Sequence, residues 1–138
     1  EGIGPAAALA TIRKMMQIDV PTHLHELGLS VMEGWASLAK KHQLAVTIAG
    51  RPASCRLQFD HPENEALLTL MTTRMLERGF LAAGSCSLTW AHQKSHVERY
   101  LAALDPVFGE LAQAIVTGDI KNRLAGGVKH SGFQRLVN

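Results

Sequence analysis

Seven histidines, two cysteines and a glycine-rich helix entry are the features of this 138-residue chain whose types and spacing could do chemistry. His23 and His25 are two apart, so on a helix they point roughly 200° apart and cannot share an ion. His92 and His96 are four apart and can share a helical face, as zinc ligands often do. No acidic residue follows His92 in the metalloprotease arrangement and no third ligand lies nearby in sequence. The expected role of the pair is a helix N-terminal turn, and no metal is expected. Cys86 stands between Ser85 and Ser87. A nucleophile there would need a base and an orienting group, whereas alternation with Leu88 and Trp90 reads as a buried strand residue. Lys40-Lys41-His42 falls at a helix end, where cations complement the dipole. Gly2-Ile3-Gly4-Pro5 leads into a helix, and helix N-termini bind phosphate through free N–H groups. No strand precedes it, so the dinucleotide and P-loop contexts both fail. Residue chemistry alone therefore describes an α+β domain without a self-contained active site.

The elements that would position these residues follow from periodicity. Pro5 to Gln17 predicts a helix with Leu9, Ile12 and Met16 on one stripe, and Pro5 suits its first position. Asp19 and Thr22 are N-cap candidates for a second helix carrying Leu24, Leu27, Val31, Trp35 and Leu38. Gly28 and Gly34 weaken that helix and would let another element approach closely. The period then changes to two. Val46 and Ile48 alternate with Thr47 and Ala49, Gly50-Arg51-Pro52 reads as a turn, and Cys55, Leu57 and Phe59 alternate with Arg56 and Gln58. This predicts an antiparallel pair with Cys55, Leu57 and Phe59 buried.

Asp60 and Glu63 have capping-box spacing ahead of a helix with Leu67, Met71 and Met75 on its stripe, Leu68 and Leu76 beside it, and Gly79 as its stop. Phe80 to Ala83 and Cys86 to Trp90 are two further strand candidates. Val97, Leu101, Leu104, Phe108, Leu111 and Ile115 then repeat at four and three, a core-facing helix stripe. Pro106 inside it predicts a kink or a second start capped by Asp105. Gly118 ends it. The tail carries Leu124, Val128, Phe133 and Leu136, enough apolar content to dock. The order predicts an α+β domain, a small antiparallel sheet covered by helices.

Composition narrows the function classes. The length suits one domain, residues 1–138, and 46% hydrophobic against 19% charged residues exclude wholesale disorder. A net charge of +2 is too even to argue for nucleic acid or an anionic membrane as partner. No run reaches the ~20 apolar residues of a membrane span. Two cysteines make no disulfide framework and fit a reducing, cytoplasmic setting. The chain opens on Glu1, not Met, and reads as a piece of something longer.

Several stretches together resemble one family. Gly4-Pro5-Ala6-Ala7-Ala8-Leu9-Ala10-Thr11-Ile12 resembles the opening of the C-terminal small domain of class III pyridoxal-phosphate-dependent aminotransferases, where a glycine and proline motif leads into an Ala-rich helix. HLHELG at His23 to Gly28, followed by a long helix and an alternating strand pair, is similar to its continuation. LAAGSCSLTWAHQKSHVERYLAAL, Leu81 to Leu104, resembles the last strand and last helix, and His130 to Leu136 resembles the tail of the subgroup allied to glutamate-1-semialdehyde aminomutase. The resemblance runs over essentially the whole chain, and order and spacing carry it.

The resemblance implies the C-terminal domain of a fold-type I aminotransferase or aminomutase, acting with pyridoxal 5'-phosphate in a homodimer. The lysine that binds the cofactor and the aspartate on its pyridine nitrogen would belong to a large domain preceding this one. A threonine that holds the partner subunit's cofactor phosphate would align one residue before Glu1, leaving Gly2 and Gly4 as the edge of that cofactor-binding site. Many relatives carry an arginine at the start of the last strand to fork onto a substrate carboxylate. Here the stretch is Gly84-Ser85-Cys86-Ser87, and Ser85 and Ser87 would border the substrate entrance without one. The catalytic lysine would lie outside the chain, which would be inactive and cofactor-free alone, and apolar surface along the first helix would favour self-association. The alternative is a free-standing, non-catalytic α+β module that binds a ligand or a partner.

Overall fold

The computed structural model describes residues 1–130, and the tail positions Phe133 and Leu136 lie outside them. In chain order it holds α1 (Ile3–Gln17), α2 (Val20–Lys41), β1 (Val46–Arg51), β2 (Ser54–Phe59), α3 (Asn64–Glu77), β3 (Ser85–Ser87), α4 (Lys94–Thr117) and a 3-10 turn over Ile120–Arg123. The strands form one antiparallel sheet in the order β1-β2-β3, so the chain is an α+β domain. Val46 pairs with Phe59 and Arg51 with Ser54 across the hairpin, while Cys55 lies opposite Cys86 on the other side. Cys55, Leu57 and Phe59 are buried and Arg56 and Gln58 exposed, as the alternation predicts.

Helices α2 and α3 pack on the buried side of this sheet, and α4 packs on both helices. The core joins Leu27, Val31 and Trp35 of α2 to Leu67, Met71 and Met75 of α3 and to Leu104, Phe108 and Leu111 of α4. Phe59 meets Phe108 edge to face at 5.9 Å, an arrangement that aromatic quadrupoles favour. The predicted stripes of α2, α3 and α4 are therefore the core, although Leu76, set beside the α3 stripe, is exposed.

Helix α1 differs. It contains no buried residue, and Leu9, Ile12 and Met16 are 50%, 56% and 75% exposed. Its predicted stripe exists but nothing among the described residues covers it. It starts at Ile3, so Pro5 is third and not first; the first helical bond runs from the Ala6 N–H to the Gly2 carbonyl, just past the proline. Asp19 caps α2 in the left-handed region (φ 50°), accepting from the Thr22 N–H at 3.4 Å.

Several expectations need correction. Asp60 does not cap α3, because its carboxylate accepts from Thr47 Oγ1 across the hairpin at 2.8 Å. The Asn64 side chain instead turns back to accept the Phe59 N–H, at 2.9 Å. Helix α4 runs unbroken through Pro106, and the Asp105 carboxylate caps no second helix because Lys41 of α2 and His42 just after it hold it, each at 2.6 Å. Phe80 to Ala83 keeps a period of two in burial but forms no strand. Its amides are spent locally, the Phe80 N–H on the Met75 carbonyl at 2.9 Å and the Ala82 N–H on the Phe80 carbonyl at 3.0 Å, so they make no ladder with β2. Cys86 is only half-buried. Trp90 is 49% exposed because the chain leaves the strand after Ser87 and turns at Thr89–His92.

Gly79 (φ 82°) and Gly118 (φ 67°) end α3 and α4 in the left-handed conformation. Beyond α4, Ile120 is buried, Leu124 packs on the core, Lys121 pairs with Glu63 at 2.7 Å, and the Lys129 N–H donates to Thr69 Oγ1 at 3.1 Å. The tail is thus docked through Ile120 and Leu124, whereas Val128, expected to dock, is exposed.

The Asp105 carboxyl is held below its ordinary value by hydrogen bonds from Lys41 and then His42. A carboxyl with a lowered folded value stabilises the fold above its unfolded value of about 3.9, and that contribution disappears as pH falls through the folded value. Asp105→Asn is expected to lower Tm by about 2–4 °C near pH 6, the scale of a surface pair. Melting curves should show the difference from the unsubstituted chain narrowing below pH 4.

Candidate functional site

A groove of about 520 Å³ opens where the segment after α3, strand β3 and the start of α4 converge. Gly79 turns the chain out of α3, and Phe80 and Ala82 then point inward and form one wall. The Leu57 N–H donates to the Gly84 carbonyl (2.7 Å), which holds that wall against β2. Ser85 and Ser87 of β3 line the groove, together with His92, His96 and Tyr100.

The two histidines repeat one local device. The Thr89 N–H donates to His92 Nδ1 at 3.0 Å, and the His92 N–H returns to the Thr89 carbonyl at 3.0 Å. The Gln93 N–H donates to His96 Nδ1 at 3.1 Å, and the His96 N–H returns to the Gln93 carbonyl at 2.9 Å. Both rings serve the turn that starts α4, the role their spacing predicts, and they stand 6.4 Å apart. Among the described residues no group of three or more His, Cys, Asp or Glu could hold a metal ion. His23 belongs elsewhere. Its Nε2 bonds the His92 carbonyl oxygen at 2.9 Å and its ring tilts against Trp90 at 4.6 Å, tying α2 to the turn.

Tyr100 closes the groove floor. Trp35 Nε1 donates to its hydroxyl at 2.9 Å, and burial pushes the phenol far above its ordinary value, so it stays protonated. The cysteines are no more reactive. Burial pushes the Cys55 thiol up to about 11 and raises Cys86 as well, and a thiol is a weak nucleophile without its proton removed. Cys55 Sγ donates to the Cys86 carbonyl at 3.9 Å. The groove therefore offers hydrogen-bonding groups, and its thiol, Cys86, stays protonated.

Ser85 and Ser87 are thus brought together with His92 and His96, which the sequence did not join to them. Its visible signal was the repeat of spacing three, Thr89 to His92 and Gln93 to His96. Gly2 and Gly4 are not in this groove. They start α1, where an added Cβ would meet nothing within 4 Å. Lys40-Lys41-His42 sits at the end of α2, with Lys41 and His42 spent on Asp105.

A likeness among solved structures puts this geometry in context. The structure described as the PLP internal aldimine form of the FumI protein of Sphingopyxis sp. MTA144 matches 84% of this chain with a TM-score of 0.71. At 18% identity the likeness shows the fold. The chain covers 28% of that protein's length. No protein-family model and no curated protein matches the chain by sequence. Among the described residues no helix is long and apolar enough to cross a membrane.

The described residues do not make a holding site for pyridoxal phosphate. Lys41, Lys94, Lys121 and Lys129 pair with carboxylates and are 44–83% exposed. Lys40 is exposed, and Lys14 lies on a second, apolar groove between α1 and α2. Among the described residues no lysine lines the groove beside Ser85.

Proposed function

We propose that this chain is the C-terminal small domain of a pyridoxal-phosphate-dependent aminotransferase or aminomutase, allied to the class III, glutamate-1-semialdehyde aminomutase-like group. Amino-group transfer happens on the large domain of the same polypeptide, and this domain walls the substrate entrance with Ser85 and Ser87. The observation that carries the reading is the fold shared with part of a PLP-bound protein, in the chain order that the family resemblance predicts. Helix α1 supports it: Leu9, Ile12 and Met16 form an apolar face that nothing among the described residues buries, and such faces mark an interaction surface. Its partner is the large domain. Pyridoxal phosphate would supply the electron sink for the substrate carbanion. Gly2 and Gly4 form the edge of the phosphate site shared with the partner subunit of a cytoplasmic homodimer.

The test has two parts. Sequencing the reading frame upstream of Glu1 should reveal a cofactor domain with its lysine, and that whole polypeptide should bind pyridoxal phosphate and turn over amino donors. The 138-residue chain, mixed with pyridoxal phosphate and borohydride, should give no specific adduct by mass analysis. A start codon immediately before Glu1, or a stoichiometric adduct on one lysine of this chain with turnover, overturns the reading.

A further inference from the structure

The groove beside β3 has a donor pattern that selects a ligand. An Nδ1 that accepts a backbone N–H cannot also carry the ring proton, so the partners of His92 and His96 fix which nitrogen is protonated. Both Nδ1 atoms accept from the backbone, at 3.0 and 3.1 Å, which puts the proton of each neutral ring on Nε2. Neither Nε2–H has a partner among the described residues. The groove lining thus includes two imidazoles of one tautomer, their ring centroids 6.4 Å apart and their planes near perpendicular, together with Ser85 and Ser87.

The rest of the lining has a different character. Phe80, Ala82, Leu88 and Ala91 are apolar, and among the described residues no lysine, arginine, aspartate or glutamate lines the groove. A carboxylate or an ammonium entering here would lose water without gaining an opposite charge, a costly transfer. A neutral oxygen loses far less, and two N–H donors replace its water. The volume of about 520 Å³ falls within the range of small-molecule sites.

We propose that this groove binds a neutral, oxygen-bearing aliphatic group, with the oxygen of a ketone or hydroxyl accepting from Nε2–H of His92 and His96 and the carbon chain lying along Phe80, Ala82 and Leu88. The assignment rests on the reading of the groove as the substrate entrance, and it narrows the substrate of the parent enzyme to one whose part facing this wall is uncharged. His92 and His96 become specificity residues. Neither touches the reacting atoms.

The experiment uses the 138-residue chain and three seven-carbon probes: 2-heptanone, heptanoate and heptylammonium. Ring-nitrogen NMR should show both histidines protonated on Nε2, and 2-heptanone should shift both Nε2 signals saturably. Heptanoate and heptylammonium should bind at least about tenfold more weakly, the scale of one lost hydrogen bond to a charged group. His92→Asn and His96→Asn keep an acceptor for the backbone N–H and delete the distal donor. Each should weaken 2-heptanone binding about fivefold, the scale of a neutral hydrogen bond, with Tm unchanged. A ring found protonated on Nδ1, heptanoate bound as tightly as the ketone, or Asn variants of undiminished affinity each overturns the proposal. The two readings fail separately. Loss of ketone binding with a cofactor domain found upstream overturns only the ligand chemistry, while ketone binding without such a domain overturns only the parent enzyme.

Discussion

Replacing Trp35 by alanine is expected to destabilise the chain by about 3–5 kcal/mol, the range for emptying a buried aromatic site. Trp35 is fully buried, and it contacts the core of all three packed helices through the cluster it shares with Leu67 and Phe108. Its indole N–H also donates to the Tyr100 hydroxyl at 2.9 Å, so the substitution strips the floor of the groove of its only described hydrogen-bond partner. Domains of this kind are stable by about 5–15 kcal/mol, which makes the loss a large fraction of the whole. Urea unfolding should show a lower midpoint with an unchanged slope. Trp90, the other tryptophan and half exposed, remains as the fluorescent reporter. Tyr100→Phe should cost less, about 1–3 kcal/mol, because it leaves the cavity filled and only orphans the indole N–H. A Trp35→Ala loss below about 1 kcal/mol would mean that this ring is not the centre of the core.

Gly28→Ala is expected to cost about 3 kcal/mol or more, although helix propensity alone gives about 1 kcal/mol in the opposite direction. The reason is where α2 meets the hairpin. A Cβ on Gly28 would drive into the Pro52 carbonyl and lie 2.7 Å from Pro52 Cα. Those are backbone atoms of the β1–β2 turn, so the strain falls on the helix–sheet packing, and overpacking against an unyielding neighbour is strongly destabilising. Gly34, on the same helix, provides the control. A Cβ there meets the branched end of Leu101, 2.6 Å from Cδ2, and a terminal side chain can turn away. Gly34→Ala should change stability by no more than about 1 kcal/mol. Equal effects at the two glycines in thermal or urea unfolding would show that propensity decides both positions.

The site divides between what one chain segment specifies and what several segments assemble. Ser85 and Ser87 stand out because a two-residue period puts them together on one strand. The histidine device is also local, since each ring bonds the backbone three residues back, and spacing alone pointed to a helix-start turn. Neither segment says that the two meet. That depends on β3 pairing with β2 through Cys86 and Cys55, which are 31 residues apart. Tyr100 is held in the groove by residues far from it in sequence, its hydroxyl by Trp35 of α2 and its ring edge to face with Phe80 at 6.1 Å.

The sequence by itself determined the period of each element. Stripes at three and four gave α2, α3 and α4, alternation gave β1 and β2, and left-handed glycines at 79 and 118 gave two helix ends, because backbone geometry repeats with a fixed pitch and side chains must follow it. The tertiary structure decided which competing local signal won. Asp105 and Asp60 both carried the marks of helix caps, yet Lys41 with His42 and Thr47 claimed them from elsewhere in the fold. Phe80 to Ala83 alternated like a strand, but the end of α3 claimed the Phe80 N–H through the Met75 carbonyl, and the Ala82 N–H turned back to the Phe80 carbonyl. Helix α1 had a stripe as regular as the others, and burial still depended on whether a partner stood opposite. Local chemistry offers each group several partners of nearly equal free energy, and three-dimensional proximity selects among them.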